Sequence, residues 1–361
     1  MFCINECGNA SCLLRFSDGM NGKGCLTGRF RAVNLDDTSA GISSHAKSHI
    51  EADSTFKVSV TRTWRYDSGD PGYDFDINLK DARVTATFPD GETLELQYAE
   101  KDKYQPTPIE DPKERGYFCT RAPKAGETVT IRATHQQYGE AEATVTIPLP
   151  VEIESVKPRL LNLYKEETAN GLSAKFTLDM SVVFTDPADS VDFYLFGLEH
   201  SHGLSKYYDE PDGSVTQGYA YISSYNENLS AEPLFHEHMS VLETIFGESY
   251  GYSMFSDRQI SGRQYGLHIV AENTSIRINN PKHDPDFDNV LYFDTQLMTI
   301  SDSYYYYLIS VWNHYEGIGG TLGDAGLGDP VWEHSNVSTG AGVVAARNIS
   351  SRRVYLEPLL K

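Results

Sequence analysis

From about Ile50 onward, apolar and polar side chains alternate along the chain. In residues 56–64 the apolar side chains fall at every second position. Because successive side chains of a β-strand point to opposite faces, this alternation predicts a half-buried strand. Residues 82–88 and 92–98 alternate in the same way around the dipeptide at Asp90. An Asp-Gly pair between two alternating runs predicts a β-hairpin.

The same pattern, interrupted by turn residues, recurs over most of the chain. Further strands are predicted at residues 116–120, 128–135, 142–147, 172–184, 191–198, 264–270, 275–278, 290–300, 304–311 and 353–356. Only residues 236–247 carry a pattern that favours a short helix. Short strands at this spacing are typical of sandwiches of the immunoglobulin or transthyretin type. The predicted fold is therefore all-β, with two β-sandwich-like domains and little helix.

Prolines 148 and 150 interrupt the alternation and mark a predicted domain boundary. Residues 1–44 are rich in Gly, Asn, Ser and Cys and have no sustained periodicity, which predicts a poorly ordered leader or tether. Residues 45–150 are then expected to form the N-terminal β-sandwich domain. Residues 151–361 are expected to form a larger C-terminal β domain with long loops.

Composition narrows the class of function. The formal net charge is −21, with 51 acidic and 30 basic residues, so nucleic acid is not expected as a partner. No run approaches the roughly 20 apolar residues that cross a bilayer. The segment after Met1 lacks the basic and apolar regions of a signal peptide. A cytosolic protein, or a true start upstream of Met1, would each explain this, and the family resemblance described below favours the second.

The five cysteines give little evidence for a metal site. They are Cys3, Cys7, Cys12, Cys25 and Cys119. The first four do not have the paired Cys-x-x-Cys spacing of zinc sites, and any disulfide pairing among them stays open. The fifth lies in a strand-like run and is predicted to be a small buried side chain, not a nucleophile.

Several segments carry a family resemblance through their order along the chain. They are FKVSVTRT (56–63), LKDARVT (79–85), PKAGETVTI (123–131), ATVTIPLPV (143–151), FSDRQISGRQY (255–265), SDSYYYY (301–307) and DPVWEHSNVSTGAGV (329–343). Over residues 45–356 this order resembles a Bacteroidetes family of surface lipoproteins, domain of unknown function 4249. The resemblance implies an outer-membrane or cell-surface location and, as partner, an outer-membrane transporter of the TonB-dependent type or another surface protein. It also implies membrane contact only through a lipid anchor, although the residues before Cys12 lack the usual leucine and apolar region.

Two histidine pairs are the first metal candidates. They are His200 with His202 and His236 with His238. On a strand, residues two apart face the same side, so each pair could chelate one ion, with Glu199 or Glu237 beside it. Four such ligands would suit zinc. Solvated loop histidines are the alternative, because the sequence does not bring the two pairs together, and we expect no bound zinc.

A second metal candidate is the acidic run at Asp284, Asp286 and Asp288. Oxygen ligands at alternate positions are typical of the start of a calcium loop, but the glycine and distal glutamate of an EF-hand are absent. A structural calcium and a solvated acidic turn both remain open, and no other cofactor is expected. The glycine-rich residues 317–328 are interpreted as a flexible loop because no βαβ unit surrounds them.

Aromatic side chains concentrate in two stretches, residues 199–232 and 312–330, which are predicted to be long surface loops. The candidate ligand-binding residues are Tyr207, Tyr208, Tyr219, Tyr221, Tyr225, Trp312, Tyr315 and Trp332. Tyr and Trp are enriched at binding hot spots, although mutual packing of the loops would also explain them. With no serine-hydrolase or zinc-protease motif present, the sequence favours a non-catalytic surface binding or accessory protein, associated through the resemblance with a nutrient transporter. A metal-dependent hydrolase using the histidine pairs and a structural or adhesive module are the alternatives.

Overall fold

A computed structural model gives the conformation of most of the chain. It describes residues 30–33, 50–62, 78–102, 113–228, 231–237, 253–315, 333–339 and 342–360. Strands account for 56% and helices for 11%, which confirms the all-β prediction. The chain divides into two compact units, unit 1 with Met1–Leu149 and Thr299–Asn348, and unit 2 with Pro150–Met298 and Ile349–Lys361.

Unit 1 is built mainly on antiparallel strands. They are β1 (Phe30–Val33), β2 (Ile50–Glu51), β3 (Lys57–Arg62), β4 (Arg83–Thr87), β5 (Thr93–Asp102), β6 (Lys113–Phe118), β7 (Thr128–His135) and β8 (Gly139–Thr146). Seven of them form a sheet in the order β1-β3-β6-β5-β4-β7-β8. Gly91, with a φ of 85°, lies in the turn between β4 and β5, where the hairpin was predicted. Strand β1 lies inside the predicted leader and pairs with β3.

The core of unit 1 follows the period-two pattern that the sequence shows. In β7 the side chains of Val129, Ile131 and Ala133 are buried and alternate with more exposed ones. Cys119 is buried and forms no disulfide with any residue of the described part, and burial raises the pKa of its thiol. The hydroxyl of buried Tyr117 donates to the carbonyl of Leu79 (2.7 Å).

The helix of unit 1, α1 (Asp302–Tyr315), replaces the strand predicted at residues 304–311, so that prediction was wrong. Tyr305, Leu308 and Trp312 are buried at a spacing of three to four residues, which is helical. A short apolar run rich in aromatic residues fits both the two-residue period of a strand and the 3.6-residue period of a helix. Only the length of the segment favours the helix. The carboxylate of Asp302 in the first turn also suits the positive end of the helix dipole.

Unit 2 holds most of the remaining strands. They are β9 (Ile153–Thr168), β10 (Gly171–Thr185), β11 (Phe193–His200), β12 (Leu204–Asp209), β13 (Val215–Asn228), β14 (Met254–Ser256), β15 (Gln264–Asn279), β16 (Tyr292–Ile300) and β17 (Ala346–Tyr355). The large sheet has the order β12-β13-β15-β10-β9, and a second sheet contains β14, β11, β16 and β17 in that order. The first residues of β17 belong to unit 1, where residues 346 and 347 pair in parallel with β2. Short 3₁₀ helices lie at Pro233–His236, Asp257–Gln259, Pro285–Phe287 and Glu357–Leu360. The first of these overlaps the start of the predicted helix at 236–247, most of which lies outside the described residues.

Two sequence expectations for the second half differ from the structure. Residues 199–232 were predicted to be a long loop, which is wrong, because they contain the hairpin of β12 and β13. Their polar composition reflects strands that expose one face to solvent. The predicted domain of residues 151–361 also differs from unit 2, because residues 299–348 cluster with unit 1. Val337 and Val344 belong to the unit 1 core, which explains that placement.

Candidate functional site

The large sheet of unit 2 buries one face and exposes the other. In β10, Ala174 and Phe176 are buried, whereas Lys175 between them is exposed. Residues directly opposite in paired strands share a face, so the register assigns the outer face. The tyrosine face, as we call it, consists of Tyr164, Lys175, Tyr207, Gln217, Tyr219, Tyr221, Arg277 and Asn279.

The tyrosines of this face range from half-buried to largely exposed. Tyr207 is 70% exposed and Tyr164 is 64% exposed. The ring centroids of the half-buried Tyr219 and Tyr221 lie 5.6 Å apart. The side-chain amide of Gln217 donates to the hydroxyl of Tyr207 (3.2 Å). The rings are therefore held by cross-strand neighbours and present both apolar surface and hydroxyl groups to solvent.

The charges on the tyrosine face differ from those of the whole chain. Arg277 and Lys175 are exposed and form no ion pair with any residue that the structure describes. Further along the same outer face, Arg159 binds the carboxylate of Asp179 (2.6 Å), which also accepts a contact from His268 (3.2 Å). In a chain of net charge −21, these two cations, which have no ion-pair partner within the described residues, give the surface a local positive charge among the tyrosines.

The structure brings together three of the predicted ligand-binding residues, Tyr207, Tyr219 and Tyr221. Of the others, Tyr208 points to the inner face of the sheet, Trp312 is buried in unit 1, and Tyr315 ends α1. Tyr225 lies further along β13 with its side chain outside the described part, and Trp332 lies outside the described residues. Sequence reasoning missed Tyr164, because no strand was predicted at residues 153–168, which form β9.

The acidic run predicted as a calcium site contacts a lysine. Lys206 binds the carboxylate of Asp284 (2.8 Å) and also that of Asp286. The hydroxyl of Tyr208 donates to Asp284 (2.9 Å), and the lysine contact lowers the pKa of that carboxyl to about 2. Asp288 is exposed at the end of the 3₁₀ helix. A cation at Asp284 and Asp286 would have to displace the ammonium group that already neutralises them.

The predicted histidine ligands lie in separate elements. His200 ends β11 and its Nδ1 lies 2.9 Å from the carbonyl oxygen of Ser201. His202 is exposed just before β12, His236 ends a 3₁₀ helix, and His238 lies outside the described residues. Within the described part, these histidines belong to no group of three metal-ligating side chains whose ligand atoms lie close together.

An acidic cluster in unit 2 was not predicted. Ligand oxygens of Asp186, Asp192 and Asp257 lie within 4.8 Å of one another, and Asp186 and Asp257 are buried. The hydroxyl of Tyr194 and the backbone N–H of Gly262 (3.0 Å) donate to Asp186. The cluster could not be predicted because Asp257 is far from Asp186 and Asp192 along the chain. The pairing of β14 with β11 brings it beside them.

Burial dominates the electrostatics of this cluster. It raises the pKa of Asp192 and of Asp257, and the neighbouring carboxylates raise both further. The hydroxyl of Ser190 donates to Asp192 and opposes the shift. Three close carboxylates repel one another unless one retains a proton or a cation lies between them. The cluster could therefore hold one hard cation or a shared proton.

We expect Asp192→Asn to raise the melting temperature at pH 7 and to have little effect near pH 4. A carboxyl whose pKa is raised in the folded state stabilises the fold below the unfolded value of 3.8, and this contribution is lost as pH rises through the folded pKa. The amide removes the charge responsible for that loss. Thermal melts at the two pH values measure it, with the exposed Asp209→Asn as control. An equal shift at both pH values would contradict the expectation.

Comparison with known proteins gives one family. Its model, described as a domain of unknown function (DUF4249), matches residues 47–353, which is most of the chain. Searches of curated proteins and of solved structures find no match. None of the helices in the described part has the length and apolar character needed to span a membrane. With its order of segments and its all-β fold, the chain belongs to the family known as domain of unknown function 4249.

Proposed function

We propose that the protein is a non-catalytic binding protein whose tyrosine face contacts a protein partner that presents carboxylates. The observation that carries the proposal is the grouping of Tyr164, Tyr207, Tyr219 and Tyr221 with two unpaired cations on one exposed sheet face. Tyrosine is enriched at binding hot spots because it supplies a large rigid contact area at low entropic cost.

The shape of the surface favours a macromolecule over a small ligand. Small ligands bind in clefts that bury most of their surface, whereas the tyrosine face is the outer side of a β-sheet. The side-chain amide of Asn279 donates to the backbone carbonyl of Gln217 (2.9 Å), and both side chains add amide groups between the rings. A mixture of tyrosine, amide and hydroxyl side chains is typical of surfaces that bind proteins.

The unpaired cations suggest the chemistry of the partner. Arg277 and Lys175 would each gain a carboxylate in the complex, and such pairs speed association and set orientation more than they add affinity. Binding should therefore weaken as salt rises, because exposed charges are screened.

We extend the proposal to location and partner through the family. The resemblance to surface lipoproteins supports a cell-surface protein, attached to the outer membrane by a lipid anchor and serving an outer-membrane transporter in nutrient uptake. Neither a cofactor nor nucleic acid has a role in this proposal.

The test begins with the full chain as bait on native envelope membranes. Each captured protein is identified and purified, and its dissociation constant is measured. The double variant Tyr207→Ser with Tyr221→Ser is expected to weaken binding at least about a hundredfold, as for the loss of two hot-spot residues. The matched control is Tyr355→Ser, which removes a 41% exposed tyrosine from the other sheet of unit 2.

Three results would contradict the proposal. They are unchanged binding by the double variant, an equal weakening by the control, and the absence of any captured protein whose binding depends on the tyrosine face. Thermal melting of each variant shows whether the fold is retained. Raising the salt concentration should weaken wild-type binding, and Arg277→Ala should reduce that dependence.

A further inference from the structure

Strand β9 forms one edge of the large sheet of unit 2. Its second half, residues 161–168, is exposed, with Leu161 at 40%, Leu163 at 44% and Tyr164 at 64%. Strand β9 has a neighbour, β10, on one side only. Alternate backbone N–H and C=O groups of β9 therefore point away from the sheet. An open edge with apolar side chains is a template for pairing with another strand.

We propose that β9 pairs antiparallel with β9 of a second copy of this chain, about a twofold axis between Asn162 and Leu163. The two large sheets would then form one continuous sheet. Symmetric pairing of identical strands is a self-complementary interface, the commonest kind in soluble dimers. The proposal does not depend on the proposed binding function.

A β-bulge in β9 allows paired side chains of β9 and of the second copy's β9 to lie on the same face of the joined sheet. Leu161 lies opposite Thr177 and Tyr164 lies opposite Lys175, so one extra residue of β9 separates these pairs. Asn162, at a φ of 54°, lies within the bulge. Residues three apart on a regular strand point to opposite faces, but the bulge puts Leu161 and Tyr164 on the same face. The axis therefore places Leu161 against Tyr164 of the second copy.

The charges at the two ends of β9 are complementary about the same axis. Lys157 and Arg159 lie before the bulge, and Glu166 and Glu167 lie after it. Antiparallel pairing places Arg159 opposite Glu166 of the second copy, and the register with β10 puts both side chains on the outer face. Arg159 already binds Asp179 on its own chain, and its side chain is 70% exposed, so a second carboxylate can reach it. Glu166 forms no ion pair with any described residue.

Pro158 limits the length of this interface without preventing it. Proline lacks an N–H and is tolerated in a sheet only where that position faces an open edge. The hydrogen-bonded ladder between the copies would therefore weaken at Pro158 and involve mainly the residues beyond it.

Sedimentation equilibrium of the full chain, over a range of concentrations, tests the proposal. The wild type is expected to show a reversible shift to twice the monomer mass. Glu166→Arg places like charges opposite each other at two symmetric sites, and should raise the dimer dissociation constant at least about tenfold. Asp209→Arg makes the same charge change on β12, at the opposite edge of the sheet, and should leave the dimer intact.

A second variant keeps the test independent of one ion pair. Leu163→Asp places a carboxylate from each copy close to the axis, and their repulsion should also abolish the dimer. Melting temperatures check that each variant folds. A monomeric wild type, a dimer that persists in Glu166→Arg, or an equal loss in Asp209→Arg would overturn the proposal. Glu166 and Leu163 lie outside the tyrosine face, so a failure here is distinct from a failure of partner binding.

Discussion

Replacing Asp186 by alanine is expected to lower the free energy of unfolding by about 2–4 kcal/mol at pH 7. Asp186 is 1% exposed and accepts hydrogen bonds from the Tyr194 hydroxyl and the Gly262 N–H. Alanine leaves both donors without this acceptor. A buried donor that loses its partner costs about 1–3 kcal/mol.

An opposing effect makes the size of this loss informative. Removing one carboxylate also relieves its repulsion with Asp192 and Asp257, which lie beside it. We expect the lost hydrogen bonds to dominate, because two buried donors lose their acceptor at once. Asp186→Asn, which keeps an acceptor for one donor, should fall between alanine and the wild type.

Urea unfolding at pH 7 measures these differences, provided that the slope with denaturant stays unchanged. Asp189→Ala is the control, since Asp189 is exposed and lies only three residues away. If Asp186→Ala were as stable as the wild type, relief of repulsion would outweigh the hydrogen bonds. The acidic cluster would then destabilise the fold through charge repulsion by at least as much as its hydrogen bonds stabilise it.

Local patterns predicted the strands of unit 1 because each buries one face. The alternation at residues 82–88 and 92–98 became β4 and β5, joined by the predicted turn. Such patterns record where one side of a strand meets a core. They fail where a run of aromatic residues fits two periods, as it does in α1.

The tyrosine face was only partly predictable for a related reason. The concentration of Tyr207, Tyr219 and Tyr221 was visible in the sequence, but their polar neighbours favoured a loop over a strand. The structure adds Tyr164, which reaches the same face through the strands between β9 and β13. Adjacency across five strands depends on the register of each pair, and no local pattern in the sequence encodes it.

The acidic cluster illustrates the same limit more strongly. Asp192 and Asp257 are brought together by the pairing of β11 with a strand of three residues, β14. Neither residue lies in a metal-binding motif, and carboxylates are common in this chain. Only the three-dimensional structure distinguishes these buried acids from the solvated majority.

Gly203→Ala is expected to cost about 3 kcal/mol or more and to disturb the tyrosine face. Gly203 precedes β12 and has a φ of 74°, a conformation that alanine adopts only with strain. A Cβ at this position would lie 2.1 Å from the carbonyl oxygen of Ala220. Because the obstacle is backbone, β12 must move away from β13, the strand that carries Tyr219 and Tyr221.

Gly213 gives a matched control within the same hairpin. It lies at the turn between β12 and β13 with a φ of 84°, but a Cβ there would meet no atom within 4 Å. Gly213→Ala should therefore lower the free energy of unfolding only by the cost of the left-handed conformation, about 1–2 kcal/mol. The difference between the two variants isolates the steric clash at Gly203. Equal losses in urea unfolding would show that the hairpin relaxes freely, and the expected disturbance of the tyrosine face by Gly203→Ala would then lose its basis.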